Sequence, residues 1–431
     1  MSHRLPINVA CDRPGRHLGP NETPRLLFVG EGVSLAHVSR PTVLASWARE
    51  AGYDVMVACS ARFADVVHAE WLPWRELPTI PPQLFYERVA RAQFFYEEHE
   101  LAAYVEADRE LLRSRRPELV VGDFRLSMGI AAALEGLPLL SLANAYWSPG
   151  ARCRLGRPPS GLLPGWPYLL RQSLFLLVRP ILWRLFGSTL NRVRRQHGLP
   201  PLRDFREQYT AGTWCAYLDA PELVPVDAMP DGHFYLGPVP WQPCCHCAVS
   251  PPRGDGPLAY VSLGSSGDAR VLPAVLSALT RLGWRAVVSG TEPPGGEMWS
   301  ERIQFTRLID PRPILARAAV TVCHGGNGTV YQSLAAGVPV LSLPGNPDQW
   351  LMAQAVADSG CGAWLDPLEL QPDAVSNALR ALQCDGPRRH AGDIASILHN
   401  SDSRRRWLQF LERAVPMSLV SRGREHEHRI R

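Results

Sequence analysis

The sequence predicts an α/β protein made of two doubly wound halves. Short apolar runs alternate with amphipathic helical stretches from residue 25 to about residue 239, and the alternation restarts at residue 258. Between them, "PWQPCCHCAVSPPRGDGP" (240–257) holds five prolines and two glycines in eighteen residues, more breakers than a helix or strand tolerates. The chain of 431 residues also exceeds one ordinary domain. The expected layout is a polar tail over 1–24, a first domain over 25–239, the linker, a second domain over 258–401, and a C-terminal helix and tail over 402–431.

In the first half, "RLLFVG" reads as a strand, "SRPTVLASWAREAG" as a helix with Val43, Leu44, Trp47 and Ala48 on one stripe, and "YDVMVAC" as the next strand. Strand-helix-strand units of this kind build parallel sheets. Residues 71–99 read as irregular connection. "LAAYVEADRELLRSRRP" is a helix stopped by Pro117, "ELVVGD" a strand ending at Asp123, "SMGIAAALEGLP" a helix and "LLSLAN" a strand. The alternation lapses after Ser148. "LLRQSLFLLVRPILWRLFG" (169–187) is apolar, but Arg171, Arg179 and Arg184 interrupt it and Pro180 is expected to break it. It reads as a helix pair packed on the domain, with an apolar acceptor wall or a peripheral membrane contact as alternatives. "TWCAYLD" and "HFYLGPV" restore strands. The second half runs "LAYVSLG", "RVLPAVLSALTRLG", "WRAVVSG", "IQFTRLI", "RPILARAA" and "VTVCHGGNG", again strand and helix in turn, and "DSRRRWLQFLERAV" is the last helix.

Composition excludes several classes. Hydrophobic content of 46% and charged content of 20% fit folded cores. The net charge of +4, from 45 basic and 41 acidic residues, is too balanced to argue for a nucleic-acid partner. Residues 1–24 lack the apolar core of a secretory signal, so the ten cysteines read as reduced thiols and the location as cytoplasmic or peripheral at the inner membrane face. The cluster Cys244 to Cys247 tempts a zinc reading, but no second ligand pair accompanies it, and no metal site is expected.

The chemistry concentrates in "CHGGNGTVYQSLAAG" (323–337), a strand end, a glycine turn and a helix start. Ligands of open parallel sheets sit beyond the carboxyl ends of the strands. Gly325, Gly326 and Gly328 let backbone approach an anion, Thr329 is the expected helix cap, and a helix start carries roughly half a positive charge. A diphosphate would sit there, with His324 donating a further hydrogen bond. Downstream, Asp348 and Gln349 could take hydroxyl groups in the same cleft.

"HGGNGTVYQSLAAGVPVLSLPGNPDQWLMAQAV" resembles the donor-binding signature of the UDP-glycosyltransferase superfamily, whose fold is GT-B, two Rossmann-like domains facing a cleft. The resemblance implies that His324, Gly326, Asn327, Gly328 and Thr329 hold the diphosphate, that Asp348 and Gln349 hold sugar hydroxyls, and that Ser265 of "VSLGSS" lies near the phosphates. Where the superfamily usually has a glutamate on the ribose, eight residues after the histidine, this chain has Gln332, which is neutral and donates from its other end. "LIDPRPIL" lacks the stacking tryptophan of plant members, leaving Ile309 or the Asp310 backbone beside the base.

Transfer to a hydroxyl needs a general base near neutral pKa, and histidine oriented by a carboxylate fits. His37 lies in the loop after the first strand and Asp123 ends another strand, so the two could meet across the sheet edge. The resemblance implies the same dyad. The superfamily places proline three residues after that histidine; here Pro41 is four after it, so either the ring is shifted or the intervening Arg40 faces the acceptor. "GEGVSL" begins like a dinucleotide fingerprint but has Leu35 at the third glycine position and no acidic residue ending the second strand. No Asp-any-Asp triplet exists to carry a cation.

The expectation is an inverting, metal-independent glycosyltransferase with no cofactor beyond its co-substrate, a UDP- or dTDP-hexose. The acceptor is expected to be apolar or amphipathic and met by Tyr146 and Trp147, with Trp166, Phe175 and Trp183 nearby. A nucleotide-sugar epimerase on the same fold and a catalytically silent nucleotide-sugar-binding protein are the alternatives.

Overall fold

A computed structural model describes residues 22–91, 93–152, 156, 167–243, 249–264, 266–294 and 300–417. Ser265, Trp166, the Cys244–Cys247 cluster and nearly all of both tails lie outside these residues.

The first sheet is built from β1 (Arg25–Gly30), β2 (Asp54–Cys59), β3 (Trp74–Glu76), β4 (Leu119–Asp123), β5 (Leu139–Ala143), β6 (Trp214–Tyr217) and β7 (His233–Tyr235). Its order is β3-β2-β1-β4-β5-β6-β7 with every pair parallel. The second sheet holds β8 (Leu258–Ser262), β9 (Arg285–Ser289), β10 (Ile303–Thr306), β11 (Val320–Cys323), β12 (Val340–Ser342) and β13 (Gly362–Trp364), in the order β10-β9-β8-β11-β12-β13, also all parallel. The central strands are continuous apolar runs because helices cover both faces; β4, β5, β8 and β11 are buried at every position. Each order reverses once, between β1 and β4 and between β8 and β11. Those switch points open crevices at the carboxyl ends, where ligands of such sheets bind.

The structure corrects three local readings. The first helix starts earlier, at Leu35, and runs to Glu50, so His37 is in its first turn rather than in a loop. Residues 71–99 are not merely irregular: they supply β3 and the helix Pro82–Ala90. Pro180 does not break its segment. The helix Tyr168–Phe186 runs through it, losing only the hydrogen bond to the Leu176 carbonyl, beside a half-exposed side chain where water can serve. A second helix, Ser188–Gln196, follows directly.

The helix Ser403–Ala414 returns to the first domain. Trp407 is wholly buried, donates its indole N–H to the Leu44 carbonyl at 3.0 Å and meets Phe28 edge-on. Phe410 stacks on Phe234 at 5.3 Å. The chain's last described helix therefore completes the core begun by its first strand. Two aromatic side chains of this size bring several kcal/mol of burial.

Candidate active site

His37 and Asp123 meet at the first switch point. Gly30 ends β1, and a Cβ there would fall 2.4 Å from the His37 carbonyl oxygen, so only glycine lets the helix start this close to the strand. β1 and β4 pair in register Gly30 to Asp123, which sets the carboxylate beside the helix. His37 Nδ1 lies 2.8 Å from Asp123 Oδ1. Arg40 is one turn further along the helix, at the cleft lining, with its guanidinium turned to Asp123 and Asn144. It is buried, donating from Nε to Asp123 Oδ2 at 2.8 Å, from Nη2 to Oδ1 at 2.7 Å and from Nη1 to Asn144 Oδ1 at 2.7 Å.

These contacts fix the tautomer. Asp123 is an acceptor, so the proton of a neutral His37 sits on Nδ1, and Nε2 is left with a free lone pair. Arg40 Nη2, 3.2 Å from Nδ1, is then a neighbour and not a donor to it. Burial acts most strongly on Asp123 and opposes its charge, but Arg40 and then His37 outweigh burial and hold its carboxyl below the usual range. Asp123 is ionised at neutral pH.

The turn after Asp123 is strained. Phe124 has φ 58°, a left-handed conformation that costs a bulky residue about 1–2 kcal/mol. It places the Phe124 ring flat against His37, centroids 4.6 Å apart and 11° between planes. Arg125, fully buried, pins the turn from below: it pairs with Asp108 at 3.0 Å and Glu31 at 3.1 Å and donates to the Pro78 carbonyl at 2.7 Å. Such a pair does little for net stability but fixes geometry, since either partner alone would be a buried charge.

At the second switch point, the helix Asn327–Ala335 begins directly after the glycine turn. Its N-cap is Gly326, with no side-chain cap; Thr329 is the third helical residue and caps nothing. The amides of Asn327, Gly328 and Thr329 therefore have no partner supplied by a capping side chain, and they begin a helix that lines the cleft. His324 lies in a notch between two glycines: a Cβ on Gly264 would fall 2.5 Å from its Cε1, and one on Gly326 2.3 Å from its Nε2. Burial, the largest influence, pushes its pKa down to about 4, so the ring is neutral at pH 7. Nδ1 is buried with no hydrogen-bond partner among the described residues. The Ser262 carbonyl works against burial on this ring, and Nε2 lies beside the helix start.

The remaining predicted residues are placed less simply. Asp348 Oδ1 accepts from three groups of the first domain: Trp147 Nε1 at 2.8 Å, Tyr146 hydroxyl at 2.9 Å and Asn144 Nδ2 at 3.3 Å. Gln349 is buried and already engaged: its Oε1 accepts from Gly345 N at 2.7 Å and its Nε2 donates to Ser266 Oγ at 3.2 Å, so it joins two loops instead of offering a free amide. Gln332 donates to the carbonyl of Trp241 in the linker at 3.1 Å. Tyr146 is 1% exposed and does not line the cleft, whereas Trp147 does. Beside Trp147 stand aromatics from residues 82–96 and 205–209: Tyr209 lies 4.6 Å from Trp147 and stacks on Phe124 at 5.6 Å, and Phe85 stacks on Phe95 at 5.0 Å. Phe175 and Trp183 also line the cleft. The shared cleft has a volume of about 1940 Å³, well above the roughly 300–1000 Å³ of ordinary small-molecule pockets.

Two polar residues were missed. Asn144, just after β5, links Arg40, Tyr146, Asp348 and, at 3.4 Å, Asn327 Nδ2. Asp219, just beyond β6, accepts from Ala145 N at 2.5 Å and from Asn327 Nδ2 at 2.9 Å. Burial, its largest influence, raises its pKa to about 6. Both end apolar strand runs, the same signal that singled out Asp123.

A cleft between two parallel sheets, with a histidine–aspartate pair on one side and a helix start on the other, defines glycosyltransferases of the GT-B fold. This chain belongs to the UDP-glycosyltransferase superfamily. It is 37% identical over 384 residues, 85% of this chain and 88% of the relative, to a PGL/p-HBAD biosynthesis glycosyltransferase of Mycobacterium tuberculosis. It is 37% identical over 364 residues, 82% of this chain and 80% of the relative, to a PGL/p-HBAD biosynthesis rhamnosyltransferase of Mycobacterium bovis. Residues 301–400 match the family described as Erythromycin biosynthesis protein CIII-like, C-terminal domain. The fold is shared with spinosyn rhamnosyltransferase SpnG, solved in complex with thymidine diphosphate, at a TM-score of 0.63 and 18% identity over 90% of this chain and 100% of that one.

Proposed function

We propose that this glycosyltransferase moves a hexose, with inversion and without a metal ion, from a nucleoside diphosphate sugar to a hydroxyl of an apolar or amphipathic acceptor bearing an aromatic ring. The observation that carries the reading is the 2.8 Å contact of His37 Nδ1 with Asp123, which leaves Nε2 as a base. Nε2 takes the acceptor proton as the hydroxyl oxygen attacks the anomeric carbon. The bond from that carbon to the diphosphate breaks on the opposite face, through an oxocarbenium-like state. The leaving diphosphate gains charge as it departs. The amides of Asn327, Gly328 and Thr329 and the His324 ring would receive that charge in place of a cation. Asp348 Oδ2, which makes no hydrogen bond among the described residues, is the proposed contact for a sugar hydroxyl, and Gln332 would have to release Trp241 to reach a ribose.

The relatives' names, and the thymidine diphosphate complex of a fold neighbour, support a deoxyhexose such as rhamnose on a thymidine diphosphate carrier. The aromatic lining supports an acceptor ring stacked near Phe124 and Tyr209. The test is a panel of UDP- and dTDP-hexoses with a long-chain phenol. Product mass and the anomeric configuration by NMR are the readouts. A product of inverted configuration formed in the presence of a chelator supports the reading; a retained configuration or dependence on added metal overturns the corresponding part. A donor at a hundred times its dissociation constant should stabilise the protein by about 2.7 kcal/mol.

A further inference from the structure

The helix Tyr168–Phe186 is apolar on two sides, and only one is used inside the protein. Inward, Phe175 is buried and Phe186 meets Phe205 at 4.8 Å and Phe94 at 5.4 Å. Outward, Leu170, Leu177, Ile181 and Leu185, spaced seven, four and four residues apart, form one stripe and are 55%, 76%, 61% and 64% exposed. Leu176 and Leu182 flank it, also exposed. A contiguous aliphatic stripe in water marks a surface that meets something apolar.

Charge decides what that is. Residues 168–196 contain six arginines and no aspartate or glutamate. Arg184 lies on the exposed stripe itself, and Arg195 is exposed on the helix that follows. An aliphatic stripe with arginines and no acid fits the boundary between acyl chains and anionic headgroups, where leucines enter and guanidinium groups pair with phosphate. The stretch Leu170–Gln196 is long and apolar enough to span a bilayer, but Phe175 and Phe186 pack its inner face on its own domain, which argues for a helix lying at the surface. Leu182 and Leu185 are both exposed and part of the cleft lining, so the stripe runs on into the rim of the cleft.

We propose that the outer face of this helix docks the enzyme on an anionic lipid bilayer, with the cleft mouth at the membrane surface so that a lipid-borne acceptor enters without crossing water. The acceptor part rests on the proposed transfer; the docking does not.

The test uses the full chain and two kinds of vesicle, phosphatidylcholine alone and phosphatidylcholine mixed with phosphatidylglycerol, separated by flotation. The protein should float with the mixed vesicles, release at high salt, and bind the neutral ones weakly. The double variant Leu177→Ser/Ile181→Ser should lose binding about tenfold or more, as two buried aliphatic side chains require. Arg184→Gln/Arg195→Gln should weaken binding to the mixed vesicles only. Leu177 and Ile181 are outside the cleft lining, so the first variant should melt like the parent and glycosylate a water-soluble acceptor at the parent rate. No binding to either vesicle overturns the proposal, as does a dimer that the serine variant dissolves with no vesicle binding. Vesicle binding without sugar transfer would leave the docking standing and remove the proposed reaction; transfer without vesicle binding would do the reverse.

Discussion

Replacing His37 with alanine separates the two jobs at the first switch point. The side chain is 20% exposed, makes one hydrogen bond and stacks on one ring, so its loss should cost the fold only about 1–2 kcal/mol. Asp123 keeps both Arg40 hydrogen bonds, so no buried charge is stranded. Turnover should suffer far more. Loss of a positioned general base costs about 10²–10⁴-fold, which is about 3–5 kcal/mol of barrier. Asp123→Asn should resemble it in rate but not in stability. It leaves the Arg40 guanidinium, 7% exposed, without its counter-charge, and stranding one member of a buried pair costs about 3–5 kcal/mol. The assay is the initial rate at saturating donor, beside denaturant unfolding and calorimetric donor binding of each variant. His37→Ala with more than a tenth of parental turnover, or with donor affinity lost in proportion to rate, would refute a base at His37.

Gly326→Ala keeps an ordinary backbone (φ −72°, ψ 140°) but puts a Cβ 2.3 Å from His324 Nε2. It should displace the ring, cost about 1–3 kcal/mol by overpacking, and weaken nucleoside diphosphate binding about tenfold in calorimetry if one charge-assisted hydrogen bond is lost. Trp407→Ala should cost about 3–5 kcal/mol, read as an earlier denaturant midpoint. A first domain that unfolds at the parental midpoint would show that the C-terminal helix is dispensable to it. For Asp219, the folded pKa of about 6 lies above the unfolded value of about 3.9, so the folded state holds the extra proton between those pH values. Its contribution is fully present below about pH 4 and lost as pH rises through 6. Wild type should therefore lose up to about 3 kcal/mol relative to Asp219→Asn between pH 4 and pH 7; a pH-independent difference in unfolding free energy would contradict this.

The fold was legible because buried parallel strands are unmistakable as apolar runs, and β1, β4, β5, β8 and β11 all declare themselves this way. β3, only three residues and mostly exposed, carries no such signal and was missed. The ends of strands named Asp123 and His324, since a polar residue at the end of an apolar run has to face the crevice, and His37 was named by the connection that leaves β1. Partnership was not legible. Nothing local in "PDQW" says that Asp348 will be held by Tyr146 and Trp147 from the other domain, or that Gln349 will join Gly345 to Ser266. Arg40 illustrates the same limit: its charge was visible, but that it neutralises Asp123 depends on a strand pairing more than eighty residues away.

Everything proposed for the second domain depends on a pyrophosphate seat at the helix that opens with Asn327. Calorimetric titration of the full-length protein with thymidine and uridine diphosphates, in parent, His324→Ala and His37→Ala, addresses it without requiring any acceptor. One of the two nucleotides should bind the parent at one site, bind His37→Ala equally well, and bind His324→Ala at least tenfold more weakly. Binding of neither nucleotide, or binding indifferent to His324, would contradict the account.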